Sequence, residues 1–258
     1  MSDTGGLAEL LVLAGLAAYM QTLTGFAFGL IMMGGIGLTG LMPLPDAAVL
    51  VGCMVLVNAA QVLVRGWRDI AWRSFRPVIV ASIVGLAAGY VMLDAMVSAS
   101  IDWLKLALGI VIIISSIQLA MQPAPLKTHS SAGSFVFFGA AAGLMGGLFS
   151  TAGPPLVYHF YRQPLSAASI RETLVAIFAV NAVVRLAMVA AAGDMPHSGF
   201  WWGLLCVPVV MAITLAAKRW PPPLSALSIR RVAFGLLLLS GLSLAAPAFV
   251  KIMGDFAI

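Results

Sequence analysis

Met20-Gln21-Thr22-Leu23-Thr24-Gly25-Phe26-Ala27-Phe28-Gly29 sets uncharged polar residues and two glycines in the middle of an apolar run that extends from Leu7 to Leu41. Gly147-Leu148-Phe149-Ser150-Thr151-Ala152-Gly153-Pro154-Pro155 interrupts a second apolar run in the same way. The reading of these two stretches decides the fold. Either each segment crosses a membrane once with a kink, or each dips in and returns as a hairpin of two half-helices.

Composition establishes that the medium is a membrane. Of 258 residues, 62% are hydrophobic and 9% charged, whereas soluble domains carry about 25% charged residues. Six uninterrupted apolar spans, 46–64, 77–97, 101–121, 167–192, 199–217 and 231–250, each approach the ~20 residues that cross ~30 Å of hydrocarbon. The connections are too short for a soluble domain, so any function is built inside the lipid bilayer. The first residues carry Asp3 and Glu9 and no base before the first apolar run, unlike a secretory signal, and are expected to belong to the mature chain. Cys53 and Cys206 lie within apolar segments without CxxC or metal-ligand spacing, so neither a disulfide framework nor a metal site is expected, and no cofactor. The net charge of +5 comes from bases in short loops rather than on one face. It reports topology and argues against a nucleic-acid partner.

Charge also arbitrates between kink and hairpin. The arms Leu7–Met20 and Phe26–Gly40 are ~21 and ~22 Å long at 1.5 Å per residue, so neither is expected to span alone; Ser134–Phe149 and Pro154–Arg162 are read in the same way. Arg65, Arg68, Arg73 and Arg76 make the loop after the first span cytoplasmic. Alternation then puts Lys127 inside. If 134–163 were a full crossing, Arg162, Arg171, Lys218, Arg219, Arg230 and Arg231 would all lie outside. If it is a re-entrant hairpin they all lie inside, and Asp194 lies outside. The same logic makes 7–40 a hairpin entered from outside and leaves both termini external, with loops 65–76, 122–133, 163–167 and 218–230 cytoplasmic.

The two halves match in sequence, in order, at an offset close to 125. Thr22–Gly25 aligns with Ser150–Gly153, Val57-Asn58-Ala59 with Val180-Asn181-Ala182, and Lys105–Gly109 with Arg231–Gly235. The expected fold is therefore an all-α integral membrane protein of two inverted-topology repeats, 1–121 and 134–258, joined by a linker at 122–133. Each repeat holds one re-entrant or broken helical hairpin plus three transmembrane helices; the odd number of crossings inverts the second repeat. Such repeats with broken helices are an architecture of secondary transporters, which bind substrate where the breaks meet. A half-helix N-terminus carries partial positive charge and free N–H groups, which suits an anion.

The candidate substrate-binding residues are those at the breaks and at matched positions in the spans. They are Gln21, Thr22, Thr24, Gly25 and Phe26 in the first hairpin, Ser150, Thr151, Gly153 and Pro154 in the second, and Asn58, Asn181 and Arg185 in the crossings. Gly25 and Gly153 would permit a tight turn or close backbone approach, and Pro154-Pro155 suits the first positions of a returning half-helix. Asn58 and Asn181 either brace the neighbouring hairpin or touch substrate. Arg185 lies one turn after Asn181 on the same face and either draws in an anion or snorkels to the external surface. His159 and Tyr158 are candidates for proton coupling. Gly85 and Gly89 form a GxxxG suited to close helix packing.

The motifs Gly146-Gly147-Leu148-Phe149-Ser150-Thr151-Ala152-Gly153-Pro154-Pro155-Leu156, Ile170-Arg171-Glu172-Thr173-Leu174 and Gln21-Thr22-Leu23-Thr24-Gly25-Phe26 resemble the sulfite exporter TauE/SafE family, also called the toluene sulfonate uptake permeases. The resemblance covers essentially the whole chain, although the first-half motif lacks the double proline. It implies secondary transport of sulfite, sulfonates or related small organic anions across the bacterial inner membrane, by alternating access, with a small anion as partner. A homo-oligomer is compatible with it. Two other classes remain to be distinguished. A passive anion channel would show non-saturating flux. An intramembrane enzyme finds no HExxH and no aspartate pair within the spans, only Ser150 with a distant His159.

Overall fold

The computed structural model describes residues 4–120, 125–151, 153–196, 203–220 and 226–255, which are helical with short connections and include no strand. The helices are α1 (Thr4–Thr24), α2 (Phe28–Thr39), α3 (Leu44–Gly66), α4 (Trp72–Ala99), α5 (Ile101–Ala120), α6 (Ala132–Phe149), α7 (Pro154–Tyr161), α8 (Ala167–Ala192), α9 (Cys206–Arg219) and α10 (Ala226–Asp255). Of the expected features, residues 1–3, positions 122–124 of the linker, the start of the span at 199–202 and positions 221–225 of the last loop lie outside the described residues.

Local chemistry sets the ends. Ser131 and Ser166 cap α6 and α8 by accepting from the backbone N–H of Ser134 and Ser169, as short hydroxyl side chains do at orphaned helix starts. Asp46 in the first turn of α3 and Arg65 in its last complement the helix dipole. Gly193 closes α8 in the left-handed conformation, φ 78°.

The arms of the two interrupted segments differ from the expected lengths. α1 runs unbroken for 21 residues, ~31 Å at helical rise, and α6 for 18 residues, ~27 Å. By length and composition both count among seven helices able to cross a membrane. The reason is local: Thr22 and Thr24 donate their hydroxyl hydrogens to the carbonyls of Ala18 and Met20, 2.7 and 2.6 Å. Their polar groups are satisfied within the helix, and they extend α1 instead of breaking it. The break comes only at Gly25, φ 82°. The return arms α2, 12 residues, and α7, 8 residues, are too short to cross.

Helices pack as α4 on α6, α5 on α10, α3 on α8 and α1 on α9, with α2 against α3 and α10, and α7 against α5 and α6. The α4–α6 contact is backbone to backbone. A Cβ on Gly85 or Gly89 would collide with the carbonyl of Ala140 or Leu144, and one on Gly143 with that of Ser82; the GxxxG of α4 thus meets glycines of α6. The buried core is aliphatic and aromatic, centred on Phe28, Met32, Leu50, Met54, Phe149 and Phe160. Outward faces are equally apolar: Val80, Val84 and Val91 form a stripe along α4, and Ile110, Ile114 and Ile117 along α5. Such stripes belong against lipid tails, not water.

Candidate functional site

Between the two hairpin tips lies a small, partly open cavity of about 30 Å³. Its wall is formed by Gln21 of α1, Ala27 and Gly29 at the start of α2, Ser150, Thr151 and Gly153 of the second break, and Phe178, Asn181 and Arg185 of α8, among others. The tips touch here, since a Cβ on Gly29 would come 2.8 Å from that of Thr151.

The two breaks are built differently. At the first, Gly25 and Ala27 both take left-handed backbone conformations, φ 82° and 83°. A Cβ on Gly25 would also lie 2.9 Å from the Cα of Arg171, so glycine is required there for both conformation and space. At the second break the left-handed residue is Ser150, φ 54°. Gly153 has φ −77°, and a Cβ there would find Leu30 at an ordinary 3.7 Å. The expectation that both glycines serve a turn or close approach therefore holds for Gly25 alone.

Their donor supply differs too. α2 begins at the cavity with free N–H groups at Phe28, Gly29 and Leu30, the first intrahelical-type bond being Ile31 N–H to Ala27. α7 begins with Pro154 and Pro155, which have no N–H, so Leu156 is the donor left in its first turn. The positive end of α2 is the better-equipped of the two.

Two buried donors of the cavity wall are left over. Arg185, 2% exposed, donates through Nε to the carbonyl of Gly147, 3.2 Å, while its Nη1 has no protein partner. Asn181 accepts from the Ser82 hydroxyl, 2.9 Å, while its Nδ2 has no protein partner. Both residues line the cavity, as do the hydroxyl-bearing Ser150 and Thr151, and no carboxylate does. A buried unpaired donor is costly unless a ligand or water completes it. This donor set fits an anion and does not fit a cation.

The other sequence candidates lie behind the wall. Asn58 is fully committed: its Oδ1 accepts from Gln21 Nε2, 3.1 Å, and its Nδ2 donates to the hydroxyl oxygens of Thr22 and Thr214, 3.0 and 2.8 Å. Thr24 bonds within its own turn, and its carbonyl accepts from the Tyr161 hydroxyl, 3.0 Å. Phe26 lies edge-on to Tyr161, centroids 6.3 Å apart. Pro154 starts α7 without lining the cavity. His159 is stacked on Phe138 and edge-on to Phe135, away from the wall that holds Ser150, and Tyr158 faces the Arg162 guanidinium at 5.6 Å. The wall residues Ala27, Gly29, Val55, Gly146, Phe178 and Ala182 were not sequence candidates. Gly29 was within reach of sequence reasoning, as the second glycine of the first interruption; the apolar ones carry no signal that separates them from core.

The chain matches the model of the "Sulfite exporter TauE/SafE" family over residues 10–244. It is 37% identical over 242 residues, 94% of each chain, to the "Probable sulfite/organosulfonate exporter TauE" of Cupriavidus necator. It is also 26% identical over 208 residues, 75% of this chain and 81% of the relative, to the "Probable inner membrane transporter protein TsaS" of Comamonas testosteroni. No solved structure matches it. With apolar helices able to cross a membrane throughout the chain and a match that spans nearly all of it, the protein belongs to the sulfite exporter TauE/SafE family and is a multi-pass transporter of the bacterial inner membrane, not an enzyme.

Proposed function

We propose that the protein is a secondary transporter of small sulfur oxyanions, sulfite or organosulfonates, that works by alternating access between two inverted repeats, 1–121 and 134–258. The observation that carries this reading is the cavity between the hairpin tips with the unpaired Arg185 Nη1 and Asn181 Nδ2. Both curated relatives are named as exporters or transporters, and one name specifies sulfite and organosulfonate. The cavity and its donors suit a compact oxyanion head, bound by the start of α2, Ser150, Thr151, Gln21, Asn181 and Arg185.

The inverted repeat is supported by exchanged contacts. Asn58 of α3 reaches Thr214 of α9, and Asn181 of α8 reaches Ser82 of α4. Under the repeat α3 corresponds to α8 and α4 to α9, so each half lends the same kind of hydroxyl to the other's asparagine. The pairings α1 on α9 and α6 on α4 are related in the same way, while α3–α8 and α5–α10 pair equivalent helices. Re-entrant hairpins are supported by the loops they connect: Leu126 N–H bonds Arg162 O, Ser130 bonds Gln163, and Ala71 N–H bonds Thr173. These contacts gather segments around 65–76, 126–130 and 162–173 on one side, the arginine-rich side.

Alternating access is supported by asymmetry across the cavity. Arg185 also lines a wider cavity of about 780 Å³ together with Tyr90, Val189 and Asp194, toward the proposed external face. Toward the other face, Phe26, the Tyr161–Thr24 hydrogen bond and the Gly25–Arg171 contact close the way. This asymmetry supports reading the arrangement as outward-facing, with Arg185 at the threshold.

Uptake and counterflow in proteoliposomes against a panel of sulfite, sulfonates and carboxylates test the proposal. Saturable flux of sulfur oxyanions, accelerated by substrate on the far side, is the expected result. Flux that neither saturates nor shows counterflow identifies a channel, and a saturating cation or neutral solute overturns the anion site.

A further inference from the structure

The wider cavity of about 780 Å³ has the size of a small-molecule site, roughly 300–1,000 Å³, and the anion site uses one residue of its lining, Arg185. Its buried wall is aliphatic. Val49 of α3, Leu93 of α4 and Val189 of α8 line it and are almost wholly shielded from solvent. Val189 follows Arg185 by one turn of α8, and Val49 follows Asp46 by a turn of α3, so each pair shares a helix face.

Charge is graded along this cavity. At its inner end Arg185, 2% exposed, has its Nη1 without a protein partner. At its outer end stand two carboxylates. Asp46 lies in the first turn of α3, and Asp194 just beyond the Gly193 that closes α8. Asp194 accepts from the Tyr90 hydroxyl, 2.9 Å, which ties the α4 wall to the end of α8. Arg185 is about eight residues from Gly193, ~12 Å along the helix, with Val189 midway.

This gradient orients an anion that carries a substituent. The charged group goes to the guanidinium, because the carboxylates repel it from the outer end. The cavity between the hairpin tips is small, about 30 Å³, so a carbon chain on the sulfur finds its space on the other side of Arg185, among Val49, Leu93 and Val189. There the chain withdraws apolar surface from water and adds affinity. A second charged group would lose its hydration against the same side chains. Sulfite has no chain and uses the inner cavity alone.

We propose that the wider cavity is the binding site for the organic substituent of a sulfonate, and that its aliphatic wall, with Val189 at the centre, selects uncharged alkyl chains. This rests on the transporter reading above, and the test separates the two. Counterflow of radiolabelled sulfite in proteoliposomes is inhibited with methane-, ethane-, propane- and butanesulfonate, and with 3-sulfopropanoate, which is close to butanesulfonate in length but ends in a carboxylate. In wild type the inhibition constant is expected to fall about three- to fourfold per added methylene, with 3-sulfopropanoate at least about tenfold weaker than butanesulfonate. Val189→Phe fills the space beside Arg185. It is expected to weaken butanesulfonate at least about tenfold, the worth of some two methylenes, and to leave the KM for sulfite within about twofold of wild type. Saturable sulfite counterflow with a flat chain-length series, or with 3-sulfopropanoate equal to butanesulfonate, overturns the proposal and leaves the transporter reading standing. A series that falls equally steeply in Val189→Phe also overturns it. Absence of wild-type counterflow for sulfite and the sulfonates removes both. If Val189→Phe does not accumulate, Val189→Ala takes its place and must weaken butanesulfonate more than it changes the KM for sulfite; equal effects on the two overturn the proposal.

Discussion

Arg185 and the two asparagines show how much a residue's role depends on which of its hydrogen bonds are already made. Asn58 and Asn181 occupy matched positions, yet the amide of Asn58 is spent on Gln21, Thr22 and Thr214, while that of Asn181 keeps Nδ2 free beside the cavity. Asn58→Ala is expected to destabilise the folded protein by about 1–2 kcal/mol, read as a lower unfolding temperature in detergent, with substrate affinity little changed. Asn181→Ala is expected to raise the apparent KM for sulfite about tenfold through loss of one donor to a charged ligand and to leave stability nearly intact. The opposite assignment would place the anion at Asn58. Arg185→Gln should raise KM by about 10- to 100-fold with a smaller fall in maximal flux, because the start of α2 and the hydroxyls of Ser150 and Thr151 remain. An unchanged KM returns Arg185 to a structural bridge to Gly147.

At the scale of the elements, the two hairpins answer differently to the same substitution. Gly25→Ala would force an L side chain into φ 82°, costing about 1–2 kcal/mol, and also press on the backbone of Arg171. Little folded protein is expected, measured as the monodisperse fraction after purification. Gly153→Ala has neither obstacle and is expected to fold normally, with a modest loss of affinity because its methyl group faces the cavity. Equal yields for the two variants would contradict this asymmetry. Glycine at α4–α6 does a third job, letting two helix backbones touch. Gly143→Leu is expected to separate these helices and abolish monodisperse protein, whereas Gly133→Leu at the start of α6, where a Cβ meets nothing, is expected to be neutral.

For the molecule as a whole, the proposed topology places both termini outside and loops 65–76, 122–133, 163–167 and 218–230 inside. Single cysteines introduced in a background lacking Cys53 and Cys206 test it with a membrane-impermeant reagent. Position 165 should be protected in intact cells, and labelling there from outside would turn α6 and α7 into a full crossing. Charge alone suggested this topology, and the arrangement of loops around Arg162, Gln163 and Thr173 is compatible with it. What charge and length misjudged was the reach of α1. Gln21, Thr22 and Thr24 read as a break by polarity, but a threonine hydroxyl can return its hydrogen to the carbonyl one turn back, so helical structure persists to Gly25.

The membrane environment, the approximate limits of the described helices and the sites of the two breaks were legible in sequence, because apolar length, glycine and proline act locally and are counted along the chain. So was the candidate status of Arg185, Asn181, Ser150 and Thr151, since uncharged donors and a lone guanidinium in an apolar span are conspicuous wherever they fall. Tertiary structure alone decided which of them share a cavity. Whether an asparagine is spent or free depends on Thr214 or Ser82, which lie 156 and 99 positions from their partners, and no local pattern carries that information. The same holds for the two glycines of the breaks: their identity is written in the chain, but only the approach of Arg171 to Gly25, and the open space at Gly153, determine which of them must be a glycine.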